Sequence, residues 1–398
     1  MALPPVLPRE YHDREQTFVK HIILRGYLQK VAYNILSAWD DFTFVDGFSG
    51  PWEARSEEFA DTSFGIAIEE LREVREAFRL RGKTKRLRCV FVEKDAEPFA
   101  RLSGAVGEAS DLHARAIHGT FEDNIPEVRR YVGSSFALTF VDPTGWNIDL
   151  SRIAPLLRQR GEVLINFMYE HFKRFVEDAR PEIRASYEKP FGGLPWRKMI
   201  DDEIASGLSK EEAILEVFKA AVKEVCGFDY AASARIRHRK LDKSHFYLVY
   251  GTRHPKGLEV FRQVERTALS AEEFFRIEAK DREVSATGQG GLFENLPHNA
   301  EETASAHWEE EVRKARSWSE EIIAGEPVVL FEVLARRIQQ RFSVILPELK
   351  DLLVEMKNEG LIEFDGLTGR QRKPRPGVTI RRTEKLEKSS AVRAQAKA

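Results

Sequence analysis

FTFVDGFSGPW, residues 42–52, decides how the rest of the chain is read. Phe42, Phe44 and Val45 form a short apolar run of the aromatic and β-branched types that favour strands. The run stops at Asp46, and Gly47, Phe48, Ser49, Gly50 and Pro51 follow at once. This pattern predicts a buried strand that hands its C-terminal end to a tight loop. Glycine in such a loop lets backbone approach a ligand closely, because no Cβ stands in the way. A carboxylate at the strand tip accepts hydrogen bonds from a ligand amine or from loop N–H groups. In open α/β sheets ligands sit outside such strand ends. An ordinary strand–turn with a capping Asp competes with that reading on this stretch alone. The spacing is not GxGxxG, so a dinucleotide fingerprint is not supported.

Working outward, apolar runs recur with helical stretches between them. RLRCVFVEKD (86–95) predicts a second strand with Glu93 at its tip, where Rossmann-like sheets bind ribose hydroxyls. HARAIHG (113–119) predicts a third, followed by Thr120, Phe121 and Asp123 in a turn. SFALTFVDPTGW (135–146) is a fourth, ending in Asp142, Pro143 and, after Thr144 and Gly145, Trp146. GEVLINFMYEHFKRF (161–175) supplies a fifth, with Asn166 and Phe167 near its end. Helices are expected over 64–80, capped by Asp61, Thr62 or Ser63, and over 96–106 and 151–159. Strands alternating with helices at this spacing argue for a doubly wound, mostly parallel α/β sheet.

Before the first strand, Phe18, Ile22, Ile23, Tyr27, Val31, Ile35 and Leu36 repeat at helical spacing, so residues 1–40 form a helix packed on the main domain. Its His12 and His21 read as surface residues. The main domain is expected over 41–285, with a helical insertion at about 176–230. KPFGGLPWRKM (189–199) inside it reads as a lid or substrate loop. Residues 235–261 read as a strand or hairpin that finishes the sheet, with the basic run RIRHRK (235–240) as a solvated edge.

The chain has 398 residues, 42% of them hydrophobic and 32% charged, long enough for a main domain and a smaller one. A net charge of −2 means that any nucleic-acid surface is a local patch. Two cysteines, Cys89 and Cys226, exclude a disulfide framework and a Cys-built zinc or iron–sulfur site, and no metal is expected. Without an apolar leader or a run of 18 apolar residues, a cytoplasmic location off the membrane is expected.

Residues 286–327 read as linker and helix, with ATGQGG (286–291) as a flexible segment. From residue 328 to 382 a helix, a break at Phe342–Ser343, a second helix, the strand LIEF (361–364), a DG turn and the basic segment 368–382 outline a winged helix. Residues 370–398 hold ten Lys/Arg and two Glu, a local charge of +8, and end in the basic tail 383–398. Such a stretch attracts phosphate backbones, so DNA or RNA is an expected partner of 328–398. A solubilising tail explains the charge almost as well.

Asp46, Glu93 and Asp142 face one crevice in a parallel sheet. That set suits S-adenosylmethionine. Residues 47–50 approach its methionine part, Glu93 its ribose, and Thr120–Phe121 or Asp123 its adenine. Asp142, Pro143 and Trp146 stand beside the methyl group. His118, Asn166 and His171 are the general-base candidates. Methyl transfer is an in-line displacement, so the protein's tasks are positioning and exclusion of water.

FVDGFSGPWEA and DTSFGIA (44–67), VFVEKD (90–95), FVDPTGW (140–146), LINFMYEHFKRF (164–175) and YGTRHPKGLEV (250–260) together resemble the three-Cys-motif partner protein family, TcmP. The resemblance spans nearly the whole chain. It implies a Rossmann-like, class I methyltransferase-like domain that works beside a radical-SAM-like protein, which carries the three cysteines. It names no substrate. The strand-four motif is similar to the D-P-P-Y of amino-methylating DNA methyltransferases, where the aromatic stacks on a flipped base. Thr144 and Gly145 depart from it, and Trp146 comes one position late. A methyltransferase, a non-catalytic partner and a DNA-binding module are the three functions left open.

Overall fold

Phe42, Phe44 and Val45 are fully buried because their strand lies in the middle of a seven-stranded sheet. The computed structural model describes residues 6–388, apart from 51–53, 58, 146–147, 176–179 and 287–295. They divide into two units, Met1–Gly257 with Phe275–Gly291, and Leu258–Phe274 with Leu292–Ala398.

The first unit opens with α1 (Glu15–Ala38), β1 (Asp41–Asp46), α2 (Ser63–Arg79), β2 (Arg86–Glu93), α3 (Ala96–Gly107) and β3 (Ala114–His118). Then come α4 (Phe121–Val132), β4 (Phe136–Val141), α5 (Leu150–Leu157) and β5 (Gly161–Phe167). Helices α6 (Tyr169–Phe175), α7 (Pro181–Glu188), α8 (Trp196–Ala205) and α9 (Lys210–Cys226) precede β6 (Tyr230–Arg237) and β7 (Ser244–Thr252). α10 (Pro255–Ala286) follows, and its residues 258–274 belong to the second unit.

The strand order is β3-β2-β1-β4-β5-β7-β6. β1 to β5 are parallel, whereas β7 runs antiparallel to both β5 and β6. The result is a mostly parallel Rossmann-like sheet flanked by helices. Strands buried on both faces read as continuous apolar runs, which is why β1, β4 and β5 stand out in the sequence. After β3 the chain returns across β1 to begin β4, so the winding reverses between β1 and β4. Such a switch point opens a crevice at the carboxyl ends of the strands.

Local chemistry sets the helix starts. Thr62 caps α2 by accepting a hydrogen bond from Gly65 N, Thr120 caps α4 through Asp123 N, and Asp149 caps α5 through Arg152 N. Ser209 and Glu212 form a capping box on α9.

Two expectations change. Of the stripe expected on α1, Ile23, Tyr27, Val31 and Leu36 are buried and Phe18, Ile22 and Ile35 only half-buried, while Glu15, Val19, Lys20, His21, Leu24, Leu28 and Ala32 are buried as well. His21 is therefore no surface residue. Its Nδ1 lies 2.8 Å from the Tyr11 hydroxyl, and burial lowers its pKa well below the ordinary value. The stretch 189–199 does not stand off as a lid either. Phe191 and Trp196 are buried and stacked 4.8 Å apart in the main core, because their rings find more apolar surface there than any loop offers.

The second unit adds α11 (Leu296–Gly325), β8 (Val328–Leu330), α12 (Phe331–Arg341), α13 (Leu346–Asn358), β9 (Ile362–Asp365) and β10 (Thr379–Arg382). Its strands form an antiparallel sheet in the order β8-β10-β9. Leu334, Ile338, Leu349, Leu353, Met356 and Ile380 share one core. Beside it the buried Arg262 bonds Glu265 at 2.6 Å and the Gln339 carbonyl at 2.7 Å. The expected flexible segment beyond Ala286 and the tail beyond Lys388 lie outside the described residues. Among the described residues no helix is long and apolar enough to cross a membrane.

Candidate functional site

Asp46 ends β1 at the switch point with no solvent exposure. One carboxylate oxygen accepts Phe48 N–H at 3.0 Å, and the other accepts the Ser63 hydroxyl, at the start of α2, at 2.5 Å. Burial raises its pKa to about 6, against the pull of those two bonds, and Asp142 adds a smaller push upward. The loop that follows is stitched to both neighbouring strands, through Gly47 N to the Phe140 carbonyl at 3.0 Å and Ser49 N to the Val92 carbonyl at 2.9 Å. Gly47 meets an aromatic ring rather than open space. A Cβ built on it would lie 2.6 Å from the Phe121 ring, which is itself 1% exposed. Gly50 ends the described part of the loop, and Pro51 lies outside it.

Glu93, at the tip of β2, is buried, and its Oε1 accepts Asp95 N–H at 2.7 Å. Desolvation raises its pKa. Thr120 and Asp123 are exposed and bonded to each other at 2.5 Å, and Asp123 also takes Arg152 at 2.6 Å. Those two bonds lower the Asp123 pKa. Phe121 sits between them in the chain, but its ring belongs to the core with Val45, Val90 and Val92.

Asp142 follows β4, opposite the end of β5, and both of its carboxylate oxygens have partners. Its Oδ2 pairs with the Lys20 ammonium from α1, and its Oδ1 accepts Asn166 Nδ2 at 2.6 Å. Lys20 also stands 5.8 Å from the centre of the Phe246 ring on β7. The Asn166 side chain is almost fully buried, and its Oδ1 accepts no hydrogen bond among the described residues. An unpaired buried carbonyl favours a donor from a ligand or from water. Pro143 is buried beside Asp142, and Trp146 lies outside the described residues.

The structure thus brings Asp46, Gly47, Phe48, Ser49 and Asp142 together at the switch point, with Glu93 one strand over. Of the general-base candidates, Asn166 touches Asp142 directly. His118 is exposed at the tip of the edge strand β3, stacked 4.7 Å on Phe99. His171 sits in the first turn of α6. Cys89 and Cys226 are buried free thiols, and burial raises the pKa of each.

Sequence reasoning missed Lys20 and gave Ser63 no role beyond a helix cap. A lysine inside an apolar helix stripe, seven residues before Tyr27, is the signal that points to the first. The chain matches no model of a known protein family, and no curated protein matches it.

Proposed function

We propose that the chain is an S-adenosylmethionine-dependent methyltransferase-like protein of the three-Cys-motif partner type, acting on or bound to nucleic acid beside a radical-SAM-like protein. The observation that carries this reading is the reversal of winding between β1 and β4, which sets Asp46 and Asp142 at adjoining strand tips with Glu93 one strand over. A reversed strand inserted between β5 and β6 supports it, since class I methyltransferase-like sheets carry that strand. In the second unit, α12, α13, β9 and β10 follow one another on a three-stranded sheet, which supports a winged-helix reading and a nucleic-acid partner.

The residues present fit the cofactor at most points. Glu93 offers a buried carboxylate to ribose hydroxyls. Asp46 holds the 47–49 loop in place from beneath it. Bound S-adenosylmethionine supplies an electrophilic methyl group on a sulfonium. Asp142, fixed by Lys20 and Asn166, orients the acceptor, and the unpaired Asn166 Oδ1 receives an acceptor N–H or O–H.

One observation favours a non-catalytic partner instead. Phe121 fills the space against Gly47, and Asp123 is tied to Thr120 and Arg152, so the adenine end is occupied by the chain's own groups. Calorimetric titration with S-adenosylmethionine and S-adenosylhomocysteine separates the two readings. Micromolar binding that Asp46→Asn and Glu93→Ala each weaken, with circular dichroism unchanged, supports the methyltransferase. No binding, with or without the partner protein, leaves the scaffold reading.

A further inference from the structure

Two neighbouring features of the second unit differ in charge. α13 and its C-cap expose Asp351, Glu355 and Glu359. The loop between β9 and β10, residues 366–378, exposes Arg370, Arg372, Lys373 and Arg375 and contains no acidic residue. This loop is held in shape. Pro374 is buried beneath it, Gly377 N donates to Glu332 at 3.0 Å, and Arg375 donates to the Thr368 hydroxyl at 2.9 Å. Lys373 pairs with Asp351 of α13, so one basic side chain is already spent on the acidic helix.

A helix that enters the major groove runs between two walls of phosphate. With its C-cap, α13 carries Glu348, Asp351, Glu355 and Glu359 against Lys350 and Lys357. This acidic excess opposes the approach over a Debye length of about 10 Å, even with Asp351 and Glu359 paired to Lys373 and Arg316. The loop has the opposite character. Guanidinium groups pair with phosphate through two parallel hydrogen bonds. The loop holds no aromatic side chain, so it offers no platform for stacking the bases of a single strand.

We propose that the second unit contacts double-helical nucleic acid through its phosphates, using the 366–378 loop, with α13 held off the groove. This rests on the reading that the second unit serves nucleic acid. The contact is independent of base sequence, and Asp351 weakens it by occupying Lys373.

Fluorescence anisotropy of the full chain against two short duplexes of unrelated sequence, the matching single strands and polyglutamate, over a salt series, tests it. Equal binding of both duplexes, ahead of the single strands, is expected. Arg370→Ala with Arg372→Ala should weaken duplex binding about tenfold or more and lower the slope of log K against log salt by about 2, since each lost phosphate contact removes about 0.9. Asp351→Ala should tighten it. Wild-type affinity in the double arginine variant, preference for single strands, or discrimination between the duplexes overturns the proposal. A chain that ignores duplexes at low salt but binds polyglutamate also overturns it, in favour of an acidic polypeptide. Titrating each variant with S-adenosylmethionine keeps this result separate from the cofactor reading, because none of these residues lies in the first unit.

Discussion

The Lys20 ammonium rests on the Asp142 carboxylate, joining a helix that precedes the sheet to the tip of its fourth strand. Both side chains are mostly buried, 10% and 19% exposed, so water screens the pair only in part. Removing one partner strands the other charge. Lys20→Met should cost about 1–3 kcal/mol in urea unfolding. Asp142→Asn should cost a similar amount, and the double variant less than the sum, with a coupling of about 1–2 kcal/mol. Additive losses would mean that the contact contributes nothing.

This pair also marks where sequence reading stops. Asp46, Glu93 and Asp142 were legible because each ends an apolar run, and a central parallel strand is apolar throughout. Their common end of the sheet follows from the strand–helix alternation. The insertion of β7 between β5 and β6 was not legible, since neither strand carries a local mark of its neighbour. Lys20 and His21 are hidden because a stripe drawn through apolar residues alone takes Ile23, Tyr27, Val31 and Leu36 correctly but passes over charged and polar residues on the same buried face. Phe121 follows β3 directly, a position that suits a ligand contact, yet as the first residue of α4 its ring turns into the core instead.

Asp46→Asn should separate stability from binding. In the folded protein the carboxyl titrates near pH 6, above its ordinary value, so the folded state holds its proton more tightly than the unfolded chain. The stability from this group is full below about pH 4 and is lost as pH rises through about 6. Asparagine keeps both contacts, accepting Phe48 N–H through its oxygen and donating to the Ser63 oxygen through its nitrogen. The variant should be at least as stable as wild type at pH 7, by up to about 3 kcal/mol. Its stability should also change less between pH 4 and 6. A variant markedly less stable at pH 7, by chemical denaturation, would contradict the buried-carboxylate account.

Gly47→Ala tests how closely the loop and the core are fitted. The new methyl group would lie 2.6 Å from the Phe121 ring, inside any real contact distance. The ring has little room to retreat, since it packs among Val45, Val90 and Val92. Overpacking of this kind costs about 1–3 kcal/mol. Trimming the ring as well, in Gly47→Ala with Phe121→Leu, should recover part of that loss beyond what the single changes predict. Thermal unfolding of the four proteins gives the cycle, and strictly additive melting shifts would place the strain elsewhere.

Tyr27 anchors the same helix at the opposite end of the sheet. Its hydroxyl donates to Glu162 at 2.6 Å and lies 2.5 Å from the Tyr250 hydroxyl, while Thr252 donates to the other Glu162 oxygen at 2.8 Å. Glu162 is buried among these groups, and desolvation raises its pKa. Tyr27→Phe removes one of the three hydroxyls bonded to Glu162 and leaves Thr252 and Tyr250, a loss of about 1–3 kcal/mol. The loss should grow as pH rises above the ordinary carboxylate range, because the ionised form needs the phenol most. At low pH the protonated carboxyl donates a bond of its own and tolerates the phenylalanine better. Glu162→Gln on the Tyr27→Phe background should abolish that pH dependence. Denaturant titrations of the two variants at pH 4.5 and 8 read the difference, and an equal loss at both values would show that Glu162 does not change charge across that range.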